Sequence, residues 1–287
     1  MIVRDIPKRI ARRYPNKTAV VFEDIRYTFR ELNNRINSLA NALADMGLKK
    51  GDRLAIIAGN CNQYVELFWM GAKTGMAIAP LNPSLSQREL SYLINNAGAK
   101  VLVFGQNYRA LVESLRPEIK EVEDYVVIGA SDGEAMSYEG LVSSYPSLEP
   151  EVEIEDDDLL FLACSGGTTG LPKQIMHTHR SLLTAGLIMS HVCDMREEDI
   201  FLYPIPSFWA HALPETLIPS FSLGCTFVIT SEIKPKSLLE IIEKESITNT
   251  FVSWHIIQQL ADYPNRDRYN HATLRRIAGA GMSLSTE

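Results

Sequence analysis

Residues 165–173, SGGTTGLPK, combine residue types and a spacing that can do chemistry. The glycines let backbone amides turn toward one point without obstruction by Cβ atoms, and successive amides arranged in this way form an anion-binding nest. Ser165, Thr168 and Thr169 add hydroxyl donors, and Lys173 adds a positive charge within reach of the same point. Because the segment carries donors and a cation but no carboxylate, it predicts a site for a polyanion, most simply a nucleoside triphosphate.

The segment differs from the Walker phosphate loop, in which Gly-Lys-Ser/Thr leads straight into a helix. Pro172 precedes Lys173, no Ser or Thr follows it, and residues 174–176 have the character of a short strand rather than of a first helical turn. These differences disfavour a kinase or a P-loop ATPase. On the residues alone, a surface turn rich in glycine and threonine with an incidental lysine stays open as an alternative.

The segment resembles the signature of the acyl-adenylate-forming superfamily, which includes acyl-CoA synthetases, aryl-acid AMP ligases and firefly-type luciferases. The family pattern is Ser-Gly-Thr-Thr-Gly-x-Pro-Lys-Gly followed by Thr-His; residues 166–174 read GGTTGLPKQ, and Thr178-His179 follows. The resemblance extends to the N-terminal stretch RRYPNKTAVVFEDIRYTFRELNNRINSLANAL, to the later segment that begins KKGDRLAIIAGN, and to LRRIAGAGMSLSTE at the other end.

This resemblance implies a two-step ligation. A carboxylic acid and ATP give an acyl-adenylate and pyrophosphate, and a thiol then displaces AMP. The thiol is expected to be coenzyme A or a carrier-bound pantetheine. The resemblance also implies Mg²⁺ at the phosphates, with its usual protein ligand and the principal catalytic Lys and Glu beyond residue 287, so no catalytic residue and no metal ligand is assigned in this chain.

The resemblance also assigns three groups of binding residues. The groups expected to hold the departing phosphates are Ser165, Gly166, Gly167, Thr168, Thr169, Gly170 and Lys173. The adenine-side positions are Ala280, Gly281 and Met282, and the candidates for the acid pocket are Trp209, His211 and Trp254. For the last group, the alternatives are core aromatics at both tryptophans and a hydrogen-bonded structural histidine at His211.

Two positions bear on the acid substrate. Gly166 replaces the common Ser of the signature and Gln174 replaces its final Gly, as in ligases that adenylate aryl acids. Trp209-Ala210, however, stands where such ligases often have His-Asn. The sequence therefore leaves aromatic and aliphatic acids open, and with them a carrier-protein-loading aryl-acid enzyme as an alternative to an acyl-CoA synthetase.

The bulk composition of the 287 residues is that of an ordinary globular protein, with 46% hydrophobic and 22% charged residues. A formal net charge of -7 disfavours a nucleic-acid partner, which requires a basic face. No apolar run approaches the ~18 residues of a membrane span. The N-terminus lacks the pattern of a signal peptide, and the four scattered cysteines are expected to be free and buried, which predicts a cytoplasmic protein.

Helices and strands alternate along the chain. Capping boxes at Thr28–Glu31 and Ser86–Glu89 predict helix starts, and Gly47 is expected to end the first of these helices. Short, nearly continuous apolar runs such as RLAII, KVLVFG and LLFLAC predict buried strands. This pattern predicts an α/β fold with parallel sheets flanked by helices on both faces.

An acidic stretch at 149–158, EPEVEIEDDD, is expected to be a solvated connector rather than a cation site. It divides the chain into a first α/β subdomain at 1–150 and a second at 151–287 that carries the phosphate loop. Ser285 is a candidate N-cap residue, but only two residues follow it in the sequence. We therefore expect an incomplete N-terminal domain without the small C-terminal domain, inactive alone; a non-catalytic module that binds a nucleotide or a partner is the alternative.

Overall fold

The computed structural model describes residues 3–131, 133–165, 171–209 and 212–280. Within these ranges the strands are β1 Thr18–Phe22, β2 Ile25–Thr28, β3 Arg53–Ile57, β4 Ala77–Pro80, β5 Ala99–Gly105, β6 Asp124–Ile128, β7 Met136–Ser137, β8 Leu159–Cys164, β9 Gln174–Thr178, β10 Ile200–Tyr203, β11 Thr226–Ile229, β12 Asn249–Ser253 and β13 Arg276–Ala280.

Helices alternate with most of these strands. They are α1 Ile6–Arg13, α2 Phe29–Asp45, α3 Asn62–Thr74, α4 Gln87–Ala97, α5 Arg109–Leu115, α6 Tyr138–Ser144, α7 His179–Val192, α8 Ala212–Leu223, α9 Pro235–Lys244 and α10 Trp254–Ala261.

The strands form two sheets. One has the order β7-β6-β5-β3-β4-β8-β9, and the other has the order β13-β12-β10-β11-β1-β2. Neighbouring strands are parallel except in two hairpins, β8–β9 and β1–β2. The predicted α/β class with mainly parallel sheets is confirmed, and the central strands β3 and β4 are buried along nearly their whole length, as strands covered on both faces must be.

Local signals place the helix ends where the sequence predicted them. At α2, Thr28 Oγ1 accepts from the Glu31 amide at 3.2 Å, and the Thr28 amide donates to Glu31 Oε2 at 2.8 Å. Ser86 and Glu89 exchange the equivalent bonds at α4. Gly47, with φ of 91°, follows the end of α2 in the left-handed region that favours glycine.

One hydrophobic core joins the helices of the two sheets. On α3, Trp69 lies 5.1 Å from Phe221 of α8, and its neighbour Phe68 lies 6.4 Å from Phe161 of β8, measured between ring centroids. All four side chains are at most 1% exposed. The two sheets are therefore held by shared aromatic packing.

The expected boundary at residue 150 does not separate the sheets. β1 and β2 precede it but pair with β11 in the six-stranded sheet, whereas β8 and β9 follow it but complete the seven-stranded sheet beside β4. An apolar run predicts a buried strand but not the strand with which it pairs. In this fold each sheet includes one hairpin from the other side of the predicted boundary.

The acidic stretch is more firmly attached than a solvated connector. Glu149 receives a hydrogen bond from the buried Lys73 at 2.7 Å, and Asp158 pairs with Lys50 at 2.7 Å. Ile154 between them is buried. The expectation of a solvated segment is therefore wrong for its two ends, which pair with Lys73 and Lys50, and for its buried centre at Ile154.

Candidate active site

The phosphate-loop candidate is the connection of the β8–β9 hairpin at one edge of the seven-stranded sheet. Cys164 lies opposite Gln174 in the last pair before the connection. Beyond this pair the Ser165 amide donates to the Lys173 carbonyl at 2.8 Å, and the Lys173 amide donates to Ser165 Oγ at 3.2 Å. The backbone thus brings Ser165 and Lys173 together, as a shared ligand site requires.

The residues between these two ends fall outside the described part of the chain. They include five of the predicted phosphate-binding residues, namely Gly166, Gly167, Thr168, Thr169 and Gly170. Their assignment rests on the sequence alone.

Lys173 is exposed and forms no ion pair with any described residue. It immediately precedes β9, so the prediction that residues 174–176 form a strand is confirmed. A Walker lysine lies at the start of a helix, and this lysine lies at the start of an antiparallel edge strand. The arrangement therefore differs from that of a Walker loop, as the sequence predicted.

The described site candidates lie at the carboxyl ends of strands in both sheets. Ser165 directly follows β8, Trp254 directly follows β12, and Trp209 lies in the connection that leaves β10. Ala280 is the last residue of β13, which runs parallel to β12. Each of these positions lies at or beyond the carboxyl end of a strand, the edge where open α/β sheets bind their ligands.

Asn60, in the connection after β3, joins the carboxyl edges of the two sheets. Its Nδ2 donates to the carbonyls of Ile205 at 2.8 Å and Thr230 at 3.0 Å, which follow β10 and β11. Its Oδ1 accepts from the amide and the hydroxyl of Ser207 at 2.7 and 2.9 Å. The carboxamide therefore uses both donors and both acceptor positions.

Sequence reasoning missed Asn60 as a positioning residue. A polar Gly-Asn pair after the buried strand β3 was the available signal, since polar residues at strand ends often serve a site. Its partners lie 145 to 170 positions away in sequence, and no local pattern identifies them.

Trp209 stands in the connection that Asn60 anchors. Its amide donates to the Pro206 carbonyl at 2.9 Å and its carbonyl accepts from Ala212 at 3.2 Å, so its backbone is fixed in a turn before α8. The residue is 55% exposed. The alternative of a core aromatic is therefore wrong for Trp209, which presents its indole to solvent beside the candidate site.

Trp254 is half-buried at the first position of α10. Ser253, the residue before it, pairs in register with Ala280 across β12 and β13, so one acid-pocket candidate and one adenine-side candidate come close through the sheet. The other candidates of these groups, His211, Gly281 and Met282, lie outside the described residues.

His179, which follows Thr178 of the signature, is fully buried at the first position of α7. Neither ring nitrogen has a hydrogen-bond partner among the described residues. Burial lowers the pKa of His179 to about 4, although Asp158 and Asp156 act against this shift. The imidazole is therefore neutral at physiological pH and serves packing rather than proton transfer.

Buried thiols and phenols near the strand ends are also neutral. Burial raises the pKa of the Cys164 thiol to about 11, and it raises the pKa of the Tyr203 hydroxyl above its ordinary value. Cys61, Cys193 and Cys225 are free and buried, whereas Cys164 is partly exposed. Since a thiol reacts as the thiolate, the geometry offers no nucleophilic cysteine at this edge.

Metal-ligating clusters and membrane-spanning helices are both absent from the described part of the chain. No group of three or more His, Cys, Asp or Glu side chains there is arranged to hold a metal ion. Among the same residues, no helix combines the length and the apolar character needed to cross a bilayer.

The sequence profile of the family described as AMP-binding enzyme matches residues 7–287, nearly the whole chain. The chain belongs to the AMP-binding enzyme family. The resemblance inferred from the phosphate loop and its flanking segments is thereby confirmed.

Relatives within the family are acyl-CoA ligases. The chain is 31% identical over 227 residues to the long-chain-fatty-acid–CoA ligase FadD13 of Mycobacterium tuberculosis, covering 78% of this chain and 44% of that protein. The chain thus spans about half the length of the relative.

Solved structures share the fold over nearly all of this chain. The anthranilate CoA ligase AuaEII in complex with anthranoyl-AMP superposes with a TM-score of 0.93 at 25% identity, covering 99% of this chain and 56% of that one. The inhibitor-bound N-terminal domain of FACL13 from Mycobacterium tuberculosis gives a TM-score of 0.92 at 26% identity, covering 99% and 71%. The predicted fold, that of the N-terminal domain of an adenylate-forming enzyme, is confirmed.

Proposed function

We propose that this chain forms the N-terminal portion of an AMP-forming carboxylic acid–thiol ligase. The observation that carries the proposal is the hairpin at the carboxyl edge, where exposed Lys173, without an ion pair to a described residue, is hydrogen-bonded through its backbone to Ser165. Family membership supports the same reaction class.

In the first half-reaction, a carboxylate oxygen of the acid attacks the α-phosphorus of ATP. The bond from that phosphorus to the bridging oxygen breaks, and pyrophosphate leaves with the negative charge. Ser165, Lys173 and the residues 166–170 between them hold the β- and γ-phosphates in this proposal. Catalysis of such a step depends mainly on positioning and charge neutralisation, which donors and one ammonium group supply.

In the second half-reaction, a thiol sulfur attacks the acyl carbon of the adenylate. The bond between that carbon and the phosphate oxygen breaks, AMP leaves, and the thiol proton passes to solvent. We favour coenzyme A as the acceptor because the relative FadD13 is a CoA ligase. A carrier-bound pantetheine is the second candidate; the Gly166 and Gln174 replacements point to an aryl acid and do not separate the two thiols.

Mg²⁺ would neutralise the phosphate charge in such an enzyme. The described residues offer no ligand set for it. We therefore assign the present residues to binding and positioning only, and we derive no step through the metal.

The acid is proposed to approach Trp209, Trp254 and His211. Exposed Trp209 and half-buried Trp254 follow the carboxyl ends of β10 and β12, and Asn60 links the connection before Trp209 to the seven-stranded sheet that carries the phosphate hairpin. FadD13 acts on long-chain fatty acids and AuaEII on anthranilate, so both aliphatic and aromatic acids belong in a substrate screen. We also propose a cytoplasmic location, because the cysteines are free.

The test is identification of the products in the full-length protein that contains this chain. We expect AMP and pyrophosphate, formed only when an acid from an aliphatic and aromatic panel is present, and a thioester when coenzyme A is added. Formation of ADP and orthophosphate would contradict the proposal. Nucleotide binding without any acid-dependent product would favour the non-catalytic module.

A further inference from the structure

A groove of about 570 Å³ lies between α1, α2 and the segment at 147–149. From α1 it is lined by Lys8 and Arg12, which are four residues apart and so share one helix face. From α2 it is lined by Arg30 and Asn33. None of the residues predicted to bind ATP or the acid lines this groove.

The three basic side chains of the groove are not neutralised by ion pairs with described residues. Lys8, Arg12 and Arg30 form no ion pair and no side-chain hydrogen bond with any described residue, unlike neighbouring Arg13, which pairs with Glu197 at 3.1 Å. Like charges gathered without counterions repel one another, and in a chain of net charge -7 such a cluster is not a consequence of overall basicity.

The carboxylate in the lining, Glu149, is already engaged. Its Oε1 accepts from Lys73 Nζ at 2.7 Å and its Oε2 accepts from Asn37 Nδ2 at 3.1 Å. Burial acts to raise the pKa of Glu149, but the hydrogen bond and charge of Lys73 outweigh it and lower the pKa below its ordinary value. Glu149 therefore stays ionised, and its charge is balanced mainly by Lys73, with a smaller contribution from Lys8 of the groove.

Lys73 also determines which polar atoms of the groove lining are already hydrogen-bonded. It is 1% exposed and donates to the Oδ1 atoms of Asn33 and Asn37, each at 2.7 Å. The Asn33 oxygen is thus engaged, whereas its amide nitrogen donates to no described residue and keeps its hydrogen-bonding capacity. The lining thus combines three cations, an amide donor and an engaged carboxylate.

We propose that this groove binds a small-molecule polyanion with two or more phosphate groups. Guanidinium groups bind phosphate oxygens in bidentate fashion, and a lysine adds a mobile point charge. The volume lies in the ordinary range for small-molecule sites. A bilayer surface is a poorer match, because it requires several exposed apolar side chains. Leu148, at 70% exposure, is the one strongly exposed apolar side chain in the lining of the groove.

Calorimetric titration with inorganic triphosphate tests this site in the full-length protein. The background is Lys173→Ala, which removes the phosphate-hairpin charge, so the result does not depend on the proposed ligase activity. We expect binding in this background and a loss of affinity of about tenfold or more on adding Arg12→Ala and Arg30→Ala. Arg9→Ala is the matched control, since Arg9 is exposed on the same helix but does not line the groove.

The proposal is overturned if triphosphate fails to bind in the Lys173→Ala background, or if the Arg12→Ala and Arg30→Ala changes leave its affinity unchanged. It is also overturned if the two arginines matter only for co-sedimentation with vesicles containing phosphatidylglycerol, because the occupant would then be a membrane surface. Far-ultraviolet circular dichroism of each variant checks folding, and the single Arg12→Glu variant at this exposed position gives a second reading of the same loss.

Discussion

Asn60 and Ser207 are joined by two hydrogen bonds, from the Ser207 amide at 2.7 Å and from its hydroxyl at 2.9 Å to the Asn60 oxygen. Ser207 is fully buried, and it lies two residues before exposed Trp209. One carboxamide after β3 of the seven-stranded sheet thus fixes the connection that carries an acid-pocket candidate of the six-stranded sheet.

Asn60→Ala is expected to destabilise the protein and to disturb the acid site. It removes two donor and two acceptor bonds and leaves the buried Ser207 hydroxyl without its partner. We expect a loss of about 2 kcal/mol in the free energy of unfolding, measured by urea denaturation. Exposed Asn95, which makes one bond to the Glu118 carbonyl, is the control, and Asn95→Ala should change stability by less than about 0.5 kcal/mol. Equal effects of the two substitutions would show that Asn60 does not hold the sheet edges.

Trp209→Ala is expected to affect substrate use rather than folding. Because Trp209 is 55% exposed, its removal should change the free energy of unfolding by less than about 0.5 kcal/mol. Trp69, which is fully buried, supplies the contrast, with an expected loss of about 3–5 kcal/mol for Trp69→Ala. In the full-length protein we expect Trp209→Ala to raise KM for the acid and to leave KM for ATP unchanged. A raised KM for ATP with an unchanged KM for the acid would contradict the placement of Trp209 in the proposed acid pocket.

His179 predicts a loss of stability in mild acid. The folded-state pKa is lowered from 6.5 to about 4, so between these values the unfolded chain binds a proton that the folded chain does not. Stability should therefore fall as pH decreases from 6.5 to about 4, by up to about 3 kcal/mol from this residue.

Unfolding of His179→Phe across the same pH range measures this contribution. Phenylalanine cannot titrate, and the substitution breaks no hydrogen bond because neither ring nitrogen of His179 has a described partner. We expect the variant to lose the His179 part of the pH dependence, whereas His191→Ala, at an exposed position, should keep it. Identical pH profiles for wild type and His179→Phe would place the acid sensitivity elsewhere.

Local elements of this fold were predictable, and long-range pairings were not. The capping boxes at Thr28 and Ser86 fix helix starts through bonds that span three residues, so the sequence alone contains them. No element was predicted before Thr28, although α1 and the β1–β2 hairpin lie there. The exchange of hairpins between the sheets depends on tertiary packing that apolar strand patterns do not encode.

In the candidate site too, the consecutive residues were predictable and the long-range contacts were not. The phosphate segment was found because its glycines, hydroxyls and lysine are consecutive, and the strand predicted for residues 174–176 belongs to β9. The exposure of Trp209 and the role of Asn60 depend on which connections meet at the carboxyl edge. Those contacts form only when both sheets are in place.

The most direct test of the central claim is acid-dependent exchange of labelled pyrophosphate into ATP by the full-length protein, compared with its Lys173→Ala variant. We predict exchange that requires the acid and falls by on the order of tenfold or more in the variant, because a charge that binds the departing pyrophosphate is lost. Lys120→Ala is the control for removal of an exposed lysine. Exchange at an unchanged rate in Lys173→Ala, with unchanged ATP affinity, would contradict the assignment of the hairpin to the phosphates.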